Sequence, residues 1–197
     1  KYELKTNKAQ NNWSDLVHLI DEINNTPSAS FRDSLEAVLN TLPAIRAWAV
    51  NILFANLDSY QGSGHNYYIF HDSTYNKFNW ITWDVNEAFG NFNQGMSITQ
   101  LENLSIYYVP APSGSRPLMS KMLANTVYKN DYTWEVCKFL ANDFDTTYLN
   151  PIIDSIANLI RPYVYADPNK FYNNTQFETN IHSDVTGQFN IPGLKKF

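Results

Sequence analysis

Apolar residues recur at helical spacing through the opening third of the chain. Trp13, Leu16, Val17, Ile20 and Ile23 fall on one face, with Asn12 or Ser14 as N-cap. Residues 28–40 repeat the pattern through Phe31, Leu35, Val38 and Leu39. Thr41-Leu42-Pro43 opens a third helix, because a proline in the first turn removes no needed hydrogen bond. Leu42, Ile45, Ala49, Ile52 and Leu53 form its stripe. This helix is apolar nearly all round, which predicts a central position, and it should end just before Asp58.

The period then changes. Residues 67–70 (YYIF) and 78–83 (FNWITW) read as two short strands, separated by the polar, turn-prone stretch 71–77. A β-hairpin follows, with His71 in its solvent-facing turn. The open end of that hairpin should bring the residues before Tyr67 close to those after Trp83. Asp58, His65 and Asn66 are therefore expected near Asp84 and Asn86. Residues 91–115 lose periodicity and read as a long connection. Helices resume over 117–128, 132–142 and 148–163, the last with Leu149, Ile152, Ile153, Ile156, Leu159 and Ile160 as its inner side. A final helix is expected over 168–181. The fold class is mostly α with a small β-hairpin, and residues 1–197 read as a single domain.

Composition narrows the function. Hydrophobic residues make up 44% and aromatics 15% of 197 residues, so a core is well supplied and disorder is excluded. A net charge of −5 lacks the basic footprint of a nucleic-acid surface. It still admits a small anion, since a divalent cation can supply positive charge locally. The single cysteine, Cys137, cannot form an intramolecular disulfide, and in WEVCKFL it reads as core filling. No apolar run approaches the roughly 20 residues of a membrane span, and no signal peptide is visible. The opening KYELKTN alternates like a strand and lacks an initiator Met. It reads as the start of a cut or processed piece, with sequence missing upstream.

Five polar groups carry candidate chemistry. Asp58, in NLDSY, follows the apolar helix and precedes the flexible QGSG; it is either a positioned catalytic carboxylate or a cap on its own turn. Asp84 stands at a strand end just past a Trp, where an unpaired carboxylate is costly to bury. It calls for a cation, a donor or water, or else the amides of its own turn. Asn86 would point to the same side if the backbone stays extended. Asp, Asn and water oxygens are the ligands Mg²⁺ accepts. Asn66 is a neutral oxygen ligand candidate. His65 is read as a residue that organises a neighbouring carboxylate; with no second His and no Cys pair nearby, zinc is disfavoured. The order is Asp, a polar loop with Asn, a hairpin, then Asp. It follows the logic of a protein-kinase catalytic segment, at spacings that differ from HRDxxxxN and without DFG.

NLDSYQGSGHNYYIF followed by WDVNEAFG resembles the CotH family, the spore coat protein H-like atypical protein kinases. The opening KYELKTN and closing IPGLKKF are similar as well. The resemblance implies the helical C-terminal lobe of an atypical kinase-like fold, which uses ATP with Mg or Mn to phosphorylate serine on partner proteins of a spore coat or cell surface. It implies Asp58 as catalytic residue and Asp84 as metal ligand. It also implies Asn66 as a metal or phosphate neighbour, with His65 and Asn66 on the nucleotide's side. Asn86 stands where relatives often carry Asp. The family's nucleotide-covering loop, phosphate-binding Lys and partner Glu lie upstream of Lys1, so an upstream lobe or partner chain is expected and this chain alone should be weak or inactive. Two rivals stay open. The aromatic residues could build a non-catalytic adhesive surface for protein or glycan, or Asp58 and Asp84 could act as a hydrolase pair.

Overall fold

The computed structural model describes residues 2–187 and 190–197. The chain is mostly helical with one two-stranded antiparallel sheet. Three helices come first: α1 (Ser14–Asn25), α2 (Phe31–Val38) and α3 (Thr41–Leu53). The hairpin of β1 (Tyr67–Asp72) and β2 (Lys77–Thr82) follows. After it come α4 (Ile98–Glu102), α5 (Pro117–Ala124), α6 (Thr126–Asn142), α7 (Thr146–Ala166) and α8 (Asn174–His182). Lys1 lies outside the described residues, and no strand forms over residues 2–7.

Helix α3 is the centre of the packing. It buries Ala44, Ile45, Trp48, Ala49 and Ile52 and lies between α6 and β2. Arg46 on its outer side donates to both carboxylate oxygens of the buried Glu135 on α6, at 3.1 and 3.3 Å. The bidentate fork satisfies a carboxylate that would otherwise be costly to bury. Trp48 is only 1% exposed and anchors an aromatic cluster. Its ring stacks on Tyr60 at 5.6 Å and meets Trp80 of β2 edge-on at 5.6 Å. Trp80 in turn stacks on Tyr67 of β1 at 4.3 Å. Four rings thus join α3, the loop after it and both strands. Such pairs add about 0.5–1.5 kcal/mol each beyond the area they bury.

The hairpin pairs Tyr67 with Thr82, Ile69 with Trp80 and Asp72 with Lys77. His71, expected in the turn, is the partner of Phe78 within the ladder, and its Nδ1 lies 2.9 Å from Asp15 of α1. The ladder runs further toward the turn than residue polarity suggests, because the pairing of backbone groups does not depend on side-chain polarity.

Several helix expectations need correction. In α1 the buried seam is Leu16, Leu19 and Ile23, while Val17 and Ile20 face solvent. The stretch read as one helix over 117–128 breaks at Asn125. This residue turns extended, and its side chain accepts the amides of Val127 and Tyr128, so it caps the start of α6. An N-capping Asn between two apolar runs stops one helix and starts the next. Cys137 is exposed, not core filling: α6 turns Tyr128, Tyr132, Glu135 and Val136 inward, and Cys137 falls off that face. The inner side expected for α7 does not exist as such. Ala157 is its one buried residue, α8 is its packed neighbour, and Leu159 is 71% exposed. The connection 91–115 is not featureless: Ser97 and Gln100 make a capping box for α4, and residues 113–115 form a single 3₁₀ turn.

Candidate functional site at the open end of the hairpin

The loop that follows α3 is tied to the helix before it reaches Asp58. Asn56 donates its backbone amide to the Asn51 carbonyl at 2.8 Å and its side-chain amide to the Asn51 side chain at 3.1 Å. Leu57 is fully buried, and the Ser59 hydroxyl donates back to the Asn56 carbonyl at 2.7 Å. Asp58 is therefore a partly exposed carboxylate carried between buried neighbours, with its side chain 23% exposed. The chain then makes a tight turn in which Ser63 N–H donates to the Leu57 carbonyl at 2.8 Å and Gly64 N–H to the Ser59 carbonyl at 2.9 Å. Gly64 has φ +82°, a conformation that costs glycine little.

Both oxygens of Asp58 are held. The Ser63 hydroxyl donates to Oδ1 at 2.7 Å. The Asn66 side-chain amide donates to Oδ2 at 2.8 Å and also to the Asp58 backbone carbonyl at 2.8 Å. The Asn66 side-chain nitrogen is thus committed to Asp58, and its Oδ1 makes no hydrogen bond among the described residues. His65 is beside Asp58 but does not orient it. Its Nδ1 stands 4.0 Å from Oδ1, too far for a hydrogen bond, and its side chain is 72% exposed. The organising role expected of His65 is filled by Ser63, a residue the sequence does not single out. The only signal for it was a serine in the flexible stretch just past the candidate carboxylate.

The second half of the site is brought back by the hairpin. Trp83 N–H donates to the Asn66 carbonyl at 3.1 Å, and Asp84 is the next residue. Phe89 N–H donates to the Phe54 carbonyl at 2.6 Å, with the two rings edge-on at 5.0 Å. The segment carrying Asp84 is thus pinned on one side to Asn66 and on the other to the end of α3. These are the two places that also position Asp58. Asp84 itself is exposed, and its carboxylate has no hydrogen bond or ion pair among the described residues. Its φ is +50° and that of Asn66 is +57°, a left-handed conformation that costs a non-glycine residue energy and calls for support from its surroundings.

That left-handed turn breaks the extended run on which the placement of Asn86 depended. Asn86 is exposed and lines a cavity of about 540 Å³ together with Val85, Phe89, Phe177, Ile181 and Leu194. Among the described residues no three His, Cys, Asp or Glu side chains converge as a metal site. The donors present are carboxylate and amide oxygens. That set fits a hard, water-retaining cation such as Mg²⁺ or Mn²⁺, which uses few protein ligands, and does not fit zinc. No helix among the described residues is long and apolar enough to cross a membrane.

Comparison with known proteins gives two findings. The family model described as "CotH kinase protein" matches residues 1–186. The inner spore coat protein H of Bacillus subtilis (strain 168) is 27% identical to this chain over 169 residues. The match takes in 86% of this chain and 44% of the relative, so the chain spans less than half of that protein's length.

Proposed function

The chain belongs to the CotH family, and from that premise we propose that it carries the catalytic and metal-holding residues of a protein kinase that transfers the γ-phosphoryl group of ATP to serine. The observation that carries the reading is the state of Asp58. Its two oxygens are fixed by Ser63 and Asn66, at the end of the hairpin whose second strand delivers Asp84. Each oxygen holds one such donor, which leaves a lone pair to accept from an incoming hydroxyl. In the proposed step the serine oxygen attacks the γ-phosphorus, its proton passes to Asp58, and ADP leaves. Asp84 and the Oδ1 of Asn66 would hold Mg²⁺ or Mn²⁺, while Asn86, turned toward the neighbouring cavity, is left out of the ligand set. When bound, that cation neutralises and orients the phosphate oxygens. His65, next to Asn66 and exposed, would face the nucleotide. The relative extends well beyond the matched stretch, and a further lobe of that kind, or a partner chain, would cover the nucleotide. The acceptor is a serine-bearing protein of a spore coat, the setting that the relative's name points to, or of a cell surface.

Single-turnover transfer from γ-labelled ATP to serine peptides, with the chain in excess and Mg²⁺ or Mn²⁺ present, tests the assignment. Without its cover the chain should transfer far more slowly than the ~1–100 s⁻¹ of complete kinases. Asp58→Asn should lower that residual rate a further ~10²–10⁴-fold, the usual worth of a positioned base. Undiminished transfer by Asp58→Asn would sink the proposal.

A non-catalytic binding module is the second reading. It is favoured by the exposed face of α7, where Ile152, Ile156, Leu159 and Tyr163 form one apolar stripe. Binding of glycan or protein by the chain, with no response to ATP and Mg²⁺, would favour it over the kinase.

A further inference from the structure

We propose that Arg116 is a positioning residue of this site, acting through the main-chain carbonyls of the turn between Asp58 and Asn66. The inference deepens the kinase reading and rests on Asp58 being the catalytic carboxylate. Arg116 ends the long connection after the hairpin and immediately precedes Pro117, the first residue of α5. From there its side chain reaches back to the catalytic turn. Nε donates to the Tyr60 carbonyl at 2.5 Å, and Nη2 donates to the Gly62 carbonyl. Nη1 donates to the Ser115 carbonyl at 2.8 Å, which locks the fork to its own backbone. The guanidinium carbon lies 5.9 Å from the centre of the Tyr60 ring.

The turn is shaped to receive this group. A Cβ on Gly64 would lie 3.0 Å from Nη2 and 3.1 Å from Cζ, so the missing side chain is what leaves room for the guanidinium. Tyr60 is held from its other side by the stack on Trp48. The two carbonyls flank Gln61 and precede Ser63, the residue that donates to Asp58. Fixing them therefore fixes where the Ser63 hydroxyl and the Asn66 amide stand. Two carbonyls and an aromatic face are met at once only by a planar fork with several donors. Lysine, a point charge on a flexible stem, cannot replace it.

The test compares wild type with Arg116→Lys and Arg116→Ala. Amide hydrogen exchange across residues 59–66 needs no activity, and single-turnover transfer is measured alongside it. Arg116→Lys should keep its melting temperature within about 4 °C of wild type. Exchange should rise at least tenfold within the turn and stay unchanged in α3 and α6. The transfer rate should fall tenfold or more while the KM for ATP is unaltered. Added methylguanidinium should restore transfer in Arg116→Ala. Wild-type exchange in the turn of Arg116→Lys, or wild-type transfer by that variant, overturns the inference. Should Asp58→Asn leave transfer untouched, the kinase reading fails by itself, and the exchange result still decides whether the fork holds the turn.

Discussion

Gly62 occupies a place that no side chain fits. A Cβ there would lie 1.9 Å from the Leu57 carbonyl oxygen, which accepts the Ser63 amide that closes the turn. Gly62→Ala must therefore rebuild the turn around Asp58. It is expected to cost about 1–3 kcal/mol, the range for overpacking a fixed site, and to be read as a lowered urea midpoint with an unchanged slope. An unaltered midpoint would mean that the turn is not built as described. At this scale much was legible in the sequence. The quoted motifs single out Asp58, Asn66 and Asp84 as candidates because each stands near a change of period, where polar residues in an apolar chain need a reason. What was not legible was which neighbour holds which. His65 looked like the partner of Asp58, but its ring stands off at 4.0 Å while Ser63 makes the bond. Spacing along the chain carries no information about which side of a tight turn a side chain leaves from. Arg116 gave no signal at all, being 54 residues from the Gly62 carbonyl it meets.

Among the elements, the hairpin does the most to assemble the site, and Trp80 does the most to hold the hairpin. It touches Trp48, Tyr60 and Tyr67 at once, and so joins β2 to α3, to the turn after Asp58 and to β1. Trp80→Ala is expected to cost about 3–5 kcal/mol by chemical denaturation, the range for a large buried aromatic. A cost below about 1 kcal/mol would remove the aromatic cluster from the account. The hairpin and α3 were visible in the sequence, since alternation and a nearly continuous apolar surface are strong local signals. The α5–α6 break was not, because an asparagine inside a helical run is equally compatible with a solvent-facing residue and a cap. The exposure of α7 was not visible either. Its apolar stripe is real, but periodicity says only that a face wants cover and never what supplies it.

Taken as a whole, the molecule presents its candidate chemistry at one end of a helical body, next to apolar surface on the outer hairpin face, where Phe70, Ile81 and Trp83 are exposed. A second exposed apolar stripe runs along α7 through Ile152, Ile156, Leu159 and Tyr163. The central claim is that Asp84 and Asn66 hold a cation for ATP while Asp58 serves the acceptor hydroxyl. The thermal melting shift with ATP, with and without Mg²⁺, in wild type, Asp84→Asn and Asp58→Asn tests it most directly. An upward shift of about 2–4 °C is expected at tenfold-saturating ATP; it should require Mg²⁺, persist in Asp58→Asn and disappear in Asp84→Asn. A Mg²⁺-dependent shift of full size in Asp84→Asn, or no such shift in wild type, would contradict it.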